Sequence, residues 1–244
     1  MVSPFSQLSI RCQAIARAGD LPELQLGEDL RCRAGLGPNA KEVLESRMWE
    51  RAGMGRLRLT TIGDGDGTRI TNIGFFPEPT VPLPVVQSEV VVLRGRPFVV
   101  IFDAHPREES QFQYQQMEPA DFLGRVQRLF PELSPVPERP EWTSGYISPA
   151  AIWSRPTHPR SLAAAAGAEA LLLSWLEDLV AQQYMEGERA KEGVRNLDWM
   201  EKFALHFREH EPSRPYLQKV FGADWADHYI NEFLFPTLMI PNNS

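Results

Sequence analysis

Two cysteines, Cys12 and Cys32, occur in 244 residues. That is too few for a secreted disulfide framework, and they lack the CxxC spacing of a protein-held iron–sulfur cluster. No GxGxxG, GxxxxGKS/T or GxSxG pattern occurs. A resident dinucleotide, a P-loop nucleotide and serine-hydrolase chemistry therefore have no support. Positive charge is also short: 25 Lys and Arg stand against 32 Asp and Glu, a net of −7. Such a balance argues against gripping nucleic acid over the whole surface. Long hydrophobic runs are missing too. The longest, Leu162 to Leu176, is interrupted by Gly167, Glu169 and Ser174, too short and too polar to span a bilayer. Residues 1–20 hold no apolar core of signal-peptide length. A soluble, cytoplasmic, monomeric protein without nucleic-acid or membrane partners is the expectation. No linker composition appears, so residues 1–244 read as a single domain.

What is present is ordinary globular material, 43% hydrophobic and 23% charged. Ser3-Pro4 reads as a helix start, followed by an amphipathic stretch through Ala16. Asp20 to Pro38 reads as loop. Arg56 to Ile62 alternates, and the Gly63-Asp64-Gly65-Asp66-Gly67 run predicts a hairpin turn into a strand over Thr68 to Phe76. Pro77 to Pro84 is a loop. Ser88 to Leu93 and Pro97 to Phe102 read as strands joined at Arg94-Gly95-Arg96, and Gly145 to Trp153 as a fifth strand. Helical spacing marks Asp121 to Phe130, Ser161 to Tyr184, Asn196 to His210 and one long helix over Arg214 to Phe235. Hairpins first and most helices later predict an α+β fold with a mainly antiparallel sheet.

Few residues announce chemistry by themselves. Asp64, Asp66 and Thr68 lack the remaining ligands of a calcium loop. His206 and His210 share a helix face, but two histidines do not hold a metal, so no metal site is expected. Glu89 is the more informative acid. It begins a strand whose alternate residues are apolar on both faces, so the strand is expected to be covered on both sides. A carboxyl there either reaches solvent or an arginine, or stays buried with a raised pKa and holds a proton near neutral pH. Glu211, before Pro212, reads alone as a loop acid, and Asp103 as a strand-end turn former.

Several stretches taken together resemble the ferredoxin-dependent bilin reductases. The C-terminal Phe221-Gly222-Ala223-Asp224-Trp225 run, continuing through Tyr229 to Leu234-Phe235, is similar to that family's FGxxW ending. Phe76-Pro77-Glu78-Pro79, Leu83-Pro84, the strand with Glu89 and Asp103-x-x-Pro106 form a second match. Pro140-x-Trp142, Ser148 and Arg155-Pro156 form a third, and Met48-Trp49 a looser one. The likeness runs in order over roughly residues 40–236.

The resemblance implies a three-layer α/β/α sandwich around a central antiparallel sheet. It implies an open-chain tetrapyrrole substrate, biliverdin IXα, held between the sheet and the C-terminal helices, with no bound cofactor. Electrons would arrive singly from a [2Fe–2S] ferredoxin, through substrate radicals, each matched by a proton from a positioned acid. Glu89 and Glu211 stand where the family usually carries Asp and would be the catalytic acids. Asn72 stands where phycocyanobilin-forming members carry His, and Thr60 where they carry Glu. Asn72 would orient substrate, and 15,16-dihydrobiliverdin or phycoerythrobilin would be the product. His210, directly before Glu211, would line the substrate site and tune that acid. Arg139, Arg155 and Arg214 are candidate substrate-binding residues for the propionates. Arg56, Arg58, Arg94 and Arg96 would dock an acidic ferredoxin if their strands end together. A red chlorophyll catabolite reductase and a bilin-binding protein without catalysis are the alternatives.

Overall fold

The computed structural model describes residues 4–105, 118–158, 160–186 and 193–236. Ser3 and Pro106 lie outside that range. Helix α1 (Pro4–Ala18) and the single turn α2 (Glu28–Arg31) precede seven strands. These are β1 (Cys32–Ala34), β2 (Val43–Arg51), β3 (Gly55–Gly63), β4 (Arg69–Pro77), β5 (Val85–Leu93), β6 (Arg96–His105) and β7 (Ile152–Ser154). They form one antiparallel sheet in strict chain order. Helix α3 (Pro119–Leu129) and two short 3₁₀ turns, Pro131–Leu133 and Glu141–Thr143, lie between β6 and β7. Helices α4 (Ser161–Glu186), α5 (Gly193–His210), α6 (Arg214–Phe221) and α7 (Ala223–Tyr229) follow, with a π-helical turn over Ile230–Leu234.

Alternation along each strand sorts side chains into two cores. Leu57, Leu59, Ile73, Phe75, Val90 and Phe102 pack beneath α1, α3 and α4. Leu44, Met48, Ile62 and Val85 pack beneath α5, α6 and α7. The sheet is thus covered on both faces, and the three-layer α+β architecture stands. Among the described residues, no helix is long and apolar enough to cross a membrane.

Four local expectations need correction. The segment from Asp20 to Pro38 is not all loop, since it contains α2 and β1. Strand β2 has no counterpart in the sequence reading, because Ser46 occupies an inward position where alternation calls for an apolar residue. Its hydroxyl is hydrogen-bonded to the buried Tyr229 hydroxyl at 2.8 Å. The expected strand over Gly145 to Trp153 is only Ile152–Ser154, because Gly145 has φ 79° and turns the chain. The expected helix over Arg214 to Phe235 breaks at Gly222, whose φ of 98° ends α6 before α7 restarts.

Asp103 is also relocated. β6 runs past it to His105, so it is a fully buried strand residue rather than a turn former. Its carboxylate accepts the backbone N–H of Ser148 at 2.9 Å and the Ser148 hydroxyl, which ties the loop before β7 to the sheet.

Candidate active site

The sheet face toward the C-terminal helices carries an open cleft. Glu89 and Asn72 form part of its floor, Trp142, Trp153 and Phe207 its walls, and Glu211 its far side. Strand register explains the floor. Asn72 of β4 pairs with Glu89 of β5, which pairs with Ile101 of β6, and Ile101 pairs with Trp153 of β7. All four point to the same face of the sheet.

Glu89 is half-buried, open to solvent only across the cleft. Burial raises its pKa to about 7, and the nearby charge of Glu211 raises it too. The Arg58 cation and a hydrogen bond from Asn72 act the other way. The balance leaves a carboxyl that exchanges a proton near neutrality, which a general acid requires. Glu211 sits in the short connection between α5 and α6, and its Oε1 accepts the Ser213 backbone N–H at 2.9 Å. Strand and loop therefore bring together two acids that are 122 positions apart in sequence.

Asn72 bridges two neighbours. Its Oδ1 accepts from Arg58 at 2.6 Å, and its Nδ2 donates to Glu89 Oε2 at 3.4 Å. Thr60 pairs with Asn72 across the ladder, but its hydroxyl is engaged by Tyr229 at 2.6 Å.

The remaining site expectations fall in different places. His210 is exposed and does not line the cleft: its Nδ1 donates to the His206 carbonyl at 2.9 Å and its ring stacks on the wall residue Trp142. Arg139 is committed to the carbonyls of Ser148 and Ala151, each at 2.7 Å. Arg214 pairs with Asp227 and donates to the Arg208 carbonyl at 2.5 Å. Both guanidinium groups are thus occupied by the protein's own acceptors. Arg155 is exposed, just past the end of β7 and two residues after the cleft-lining Trp153.

The four-arginine docking cluster does not form. Antiparallel pairing places Arg56 opposite Phe76 at one end of the sheet, where it pairs with Glu50 at 3.0 Å. Arg94 and Arg96 lie at the other end, where the backbone of Gly95 bonds that of Gly67. Arg58 is 1% exposed and donates to Asn72 of the cleft floor from the interior.

Three residues at or beside the cleft are not recognisable as such from the sequence. Arg58 reads there as one of four docking arginines. Gln87 lines the cleft two positions before Glu89, so strand alternation alone could have found it. His105 is buried, with Nε2 3.3 Å from both Gln87 Oε1 and Asp103 Oδ2. Burial lowers its pKa, while the Asp103 charge and a hydrogen bond to the Tyr146 backbone oppose that. No sequence signal marks it.

The arrangement suits a flat, largely apolar ligand with polar edges: aromatic walls, one protonatable acid on the floor and a second acid opposite. Among the described residues, no group of three or more His, Cys, Asp or Glu is placed to hold a metal ion.

Comparison with known proteins gives the same direction. The phycoerythrobilin:ferredoxin oxidoreductase of Nostoc punctiforme is 25% identical over 210 residues, 82% of this chain and 79% of that protein. The phycocyanobilin:ferredoxin oxidoreductase of a Synechococcus species is 25% identical over 219 residues, 88% of this chain and 86% of that protein. The crystal structure of tomato phytochromobilin synthase in complex with biliverdin superposes with a TM-score of 0.72 at 16% identity, covering 96% of this chain and 83% of that one. It shares the fold. The model of the family described as ferredoxin-dependent bilin reductase matches residues 9–236, and the chain belongs to that family of oxidoreductases.

Proposed function

We propose that the protein reduces biliverdin IXα with electrons taken one at a time from a reduced [2Fe–2S] ferredoxin. Two electrons and two protons saturate one double bond of the pigment, and the first reduction falls at the 15,16 methine bridge. The product is 15,16-dihydrobiliverdin or, after a second two-electron step, phycoerythrobilin. The observation that carries this reading is Glu89, a carboxyl on the cleft floor whose pKa is raised to about 7. A neutral carboxyl there protonates the bound pigment, and a protonated pigment accepts an electron more readily. Glu211, across the same cleft, supplies the proton that the second electron calls for.

The Asn at position 72 favours the 15,16 reading. An amide does not release and regain a proton as an imidazole does, so it orients the pigment without protonating it. Arg155, exposed and two residues after the cleft-lining Trp153, is the remaining candidate for a propionate.

The test is an anaerobic assay with biliverdin, reduced ferredoxin and a regenerating system. A shift of pigment absorption to shorter wavelength is the expected result, and product chromatography identifies the bond reduced. A stable biliverdin complex that never changes would mean a binder without catalysis. Turnover of a red chlorophyll catabolite without biliverdin binding would assign the other substrate.

A further inference from the structure

Arg58 is the largest fully buried side chain described in the fold, at 1% exposure. Its guanidinium carbon lies over both the Phe76 and the Phe235 ring, 5.2 and 5.5 Å from their centroids. Among the described residues it forms no ion pair, and its Nε has no partner. A buried cation without a counter-ion is costly, and stacking on two ring faces returns only part of that cost. The sequence also makes room for it. Arg58 faces Gly74 across the β3–β4 ladder, and a Cβ at Gly74 would sit 3.0 Å from Arg58 Nε.

The chemistry of the contact gives the cation a purpose. A guanidinium only donates, so the atom of Asn72 facing it at 2.6 Å is the amide oxygen. The opposite side of that amide, the NH₂, then faces Glu89 Oε2 at 3.4 Å. An oxygen that accepts from Asn72 does not direct a hydroxyl proton at the same place. The carbonyl oxygen of a neutral carboxyl is the stronger acceptor, so this contact favours the proton on Glu89 Oε1.

We infer that Arg58 is a positioning residue that, through Asn72, fixes which carboxyl oxygen of Glu89 carries the transferable proton. This rests on Glu89 being the proton donor proposed above. The charged and polar groups that face Glu89 are Arg58 from β3, Asn72 from β4 and Glu211 from the α5–α6 connection, while β6 offers the apolar Ile101. The Arg58 charge opposes the effect of Glu211, so its removal moves Glu89 further toward the protonated form.

The experiment compares Arg58→Met and Arg58→Lys with the unchanged chain, each bound to biliverdin. Without ferredoxin, the pigment's absorption is titrated with pH. With reduced ferredoxin and no oxygen, the decay of the first substrate radical is followed. Arg58→Met should raise the titration midpoint by about one pH unit and slow radical decay by about tenfold or more, because the proton is no longer held on one oxygen. Arg58→Lys, which keeps a charge and a donor, should restore the midpoint. Unchanged midpoint and decay in Arg58→Met would overturn the inference. Should Arg58→Met not fold, Asn72→Asp keeps a partner for Arg58 and removes the donor to Glu89; it should raise the midpoint and slow decay, and no change in either is equally fatal. Glu89→Gln separates the two claims. If it turns over normally, the donor assignment fails; if it stalls while Arg58→Met is unaffected, only the role of Arg58 fails.

Discussion

Gly74 lies directly opposite Arg58 in the β3–β4 ladder, and the space where its side chain would be is filled by the Phe76 ring and the guanidinium. A methyl group there would come within 2.6 Å of the Phe76 ring and 3.1 Å of Arg58 Cζ. The backbone of Gly74 is ordinary, so the constraint is steric. Gly74→Ala should destabilise the protein by about 1–3 kcal/mol through overpacking. Urea unfolding at neutral pH measures this, and an unchanged midpoint would show that Arg58 has room to retreat.

Stability should fall as pH rises through neutrality. Glu89 has its folded pKa raised from 4.5 to about 7. Between those values the folded state binds the proton and the unfolded chain does not. The stabilisation is therefore complete below about pH 4.5 and is lost as pH climbs through 7. The loss is at most about 3.5 kcal/mol, and less to the extent that water in the cleft screens the charge. Glu89→Gln should flatten the dependence between about pH 4.5 and 7, the window set by the two pKa values. Parallel slopes for variant and parent would contradict the raised pKa.

Tyr229 joins helix to sheet through one hydroxyl. It meets Ser46 of β2 at 2.8 Å and Thr60 of β3 at 2.6 Å, and all three side chains are buried. Tyr229→Phe should cost about 1–3 kcal/mol, since two hydroxyls lose a partner away from water. Adding Ser46→Ala and Thr60→Val should recover part of that loss. Additive losses in the triple variant would show that the hydroxyls find other partners.

Asp103 should matter for binding without touching the ligand. Its carboxylate accepts two hydrogen bonds from Ser148, which fix the loop carrying the cleft residue Ile147. Asp103→Asn removes the charge that holds both donors, leaving the Ser148 hydroxyl to accept from the new NH₂, and should cost about 1–2 kcal/mol. Biliverdin affinity should drop together with protease resistance in the loop before β7. Weaker affinity with unchanged proteolysis would instead point to a direct role at the cleft.

Much of the fold could be read locally because its signals are local. The glycine-aspartate hairpin between β3 and β4, the two apolar strands β5 and β6, and helices α3 to α5 all lie within a few residues of their predicted spans. The errors share a cause. Ser46 breaks the alternation of β2 because it serves Tyr229, 183 residues away. Gly222 breaks a helix whose apolar spacing continues unchanged across it. In each case a distant contact or a single backbone angle overrode a periodic pattern.

The sequence by itself determined the family, the α+β class, the lack of nucleotide-binding and P-loop motifs, and the face of β5 from which Glu89 projects. Period-two alternation and motif spacing are properties of the chain alone. Only the tertiary structure decided that Glu89 and Glu211 share one cleft, that Arg139 and Arg214 are occupied by carbonyls and an aspartate, and that Arg58 is an interior cation rather than a surface charge. Charge is written in the sequence, but burial and partnership arise where segments far apart in the chain are brought together, and these set the pKa of an acid and the freedom of an arginine.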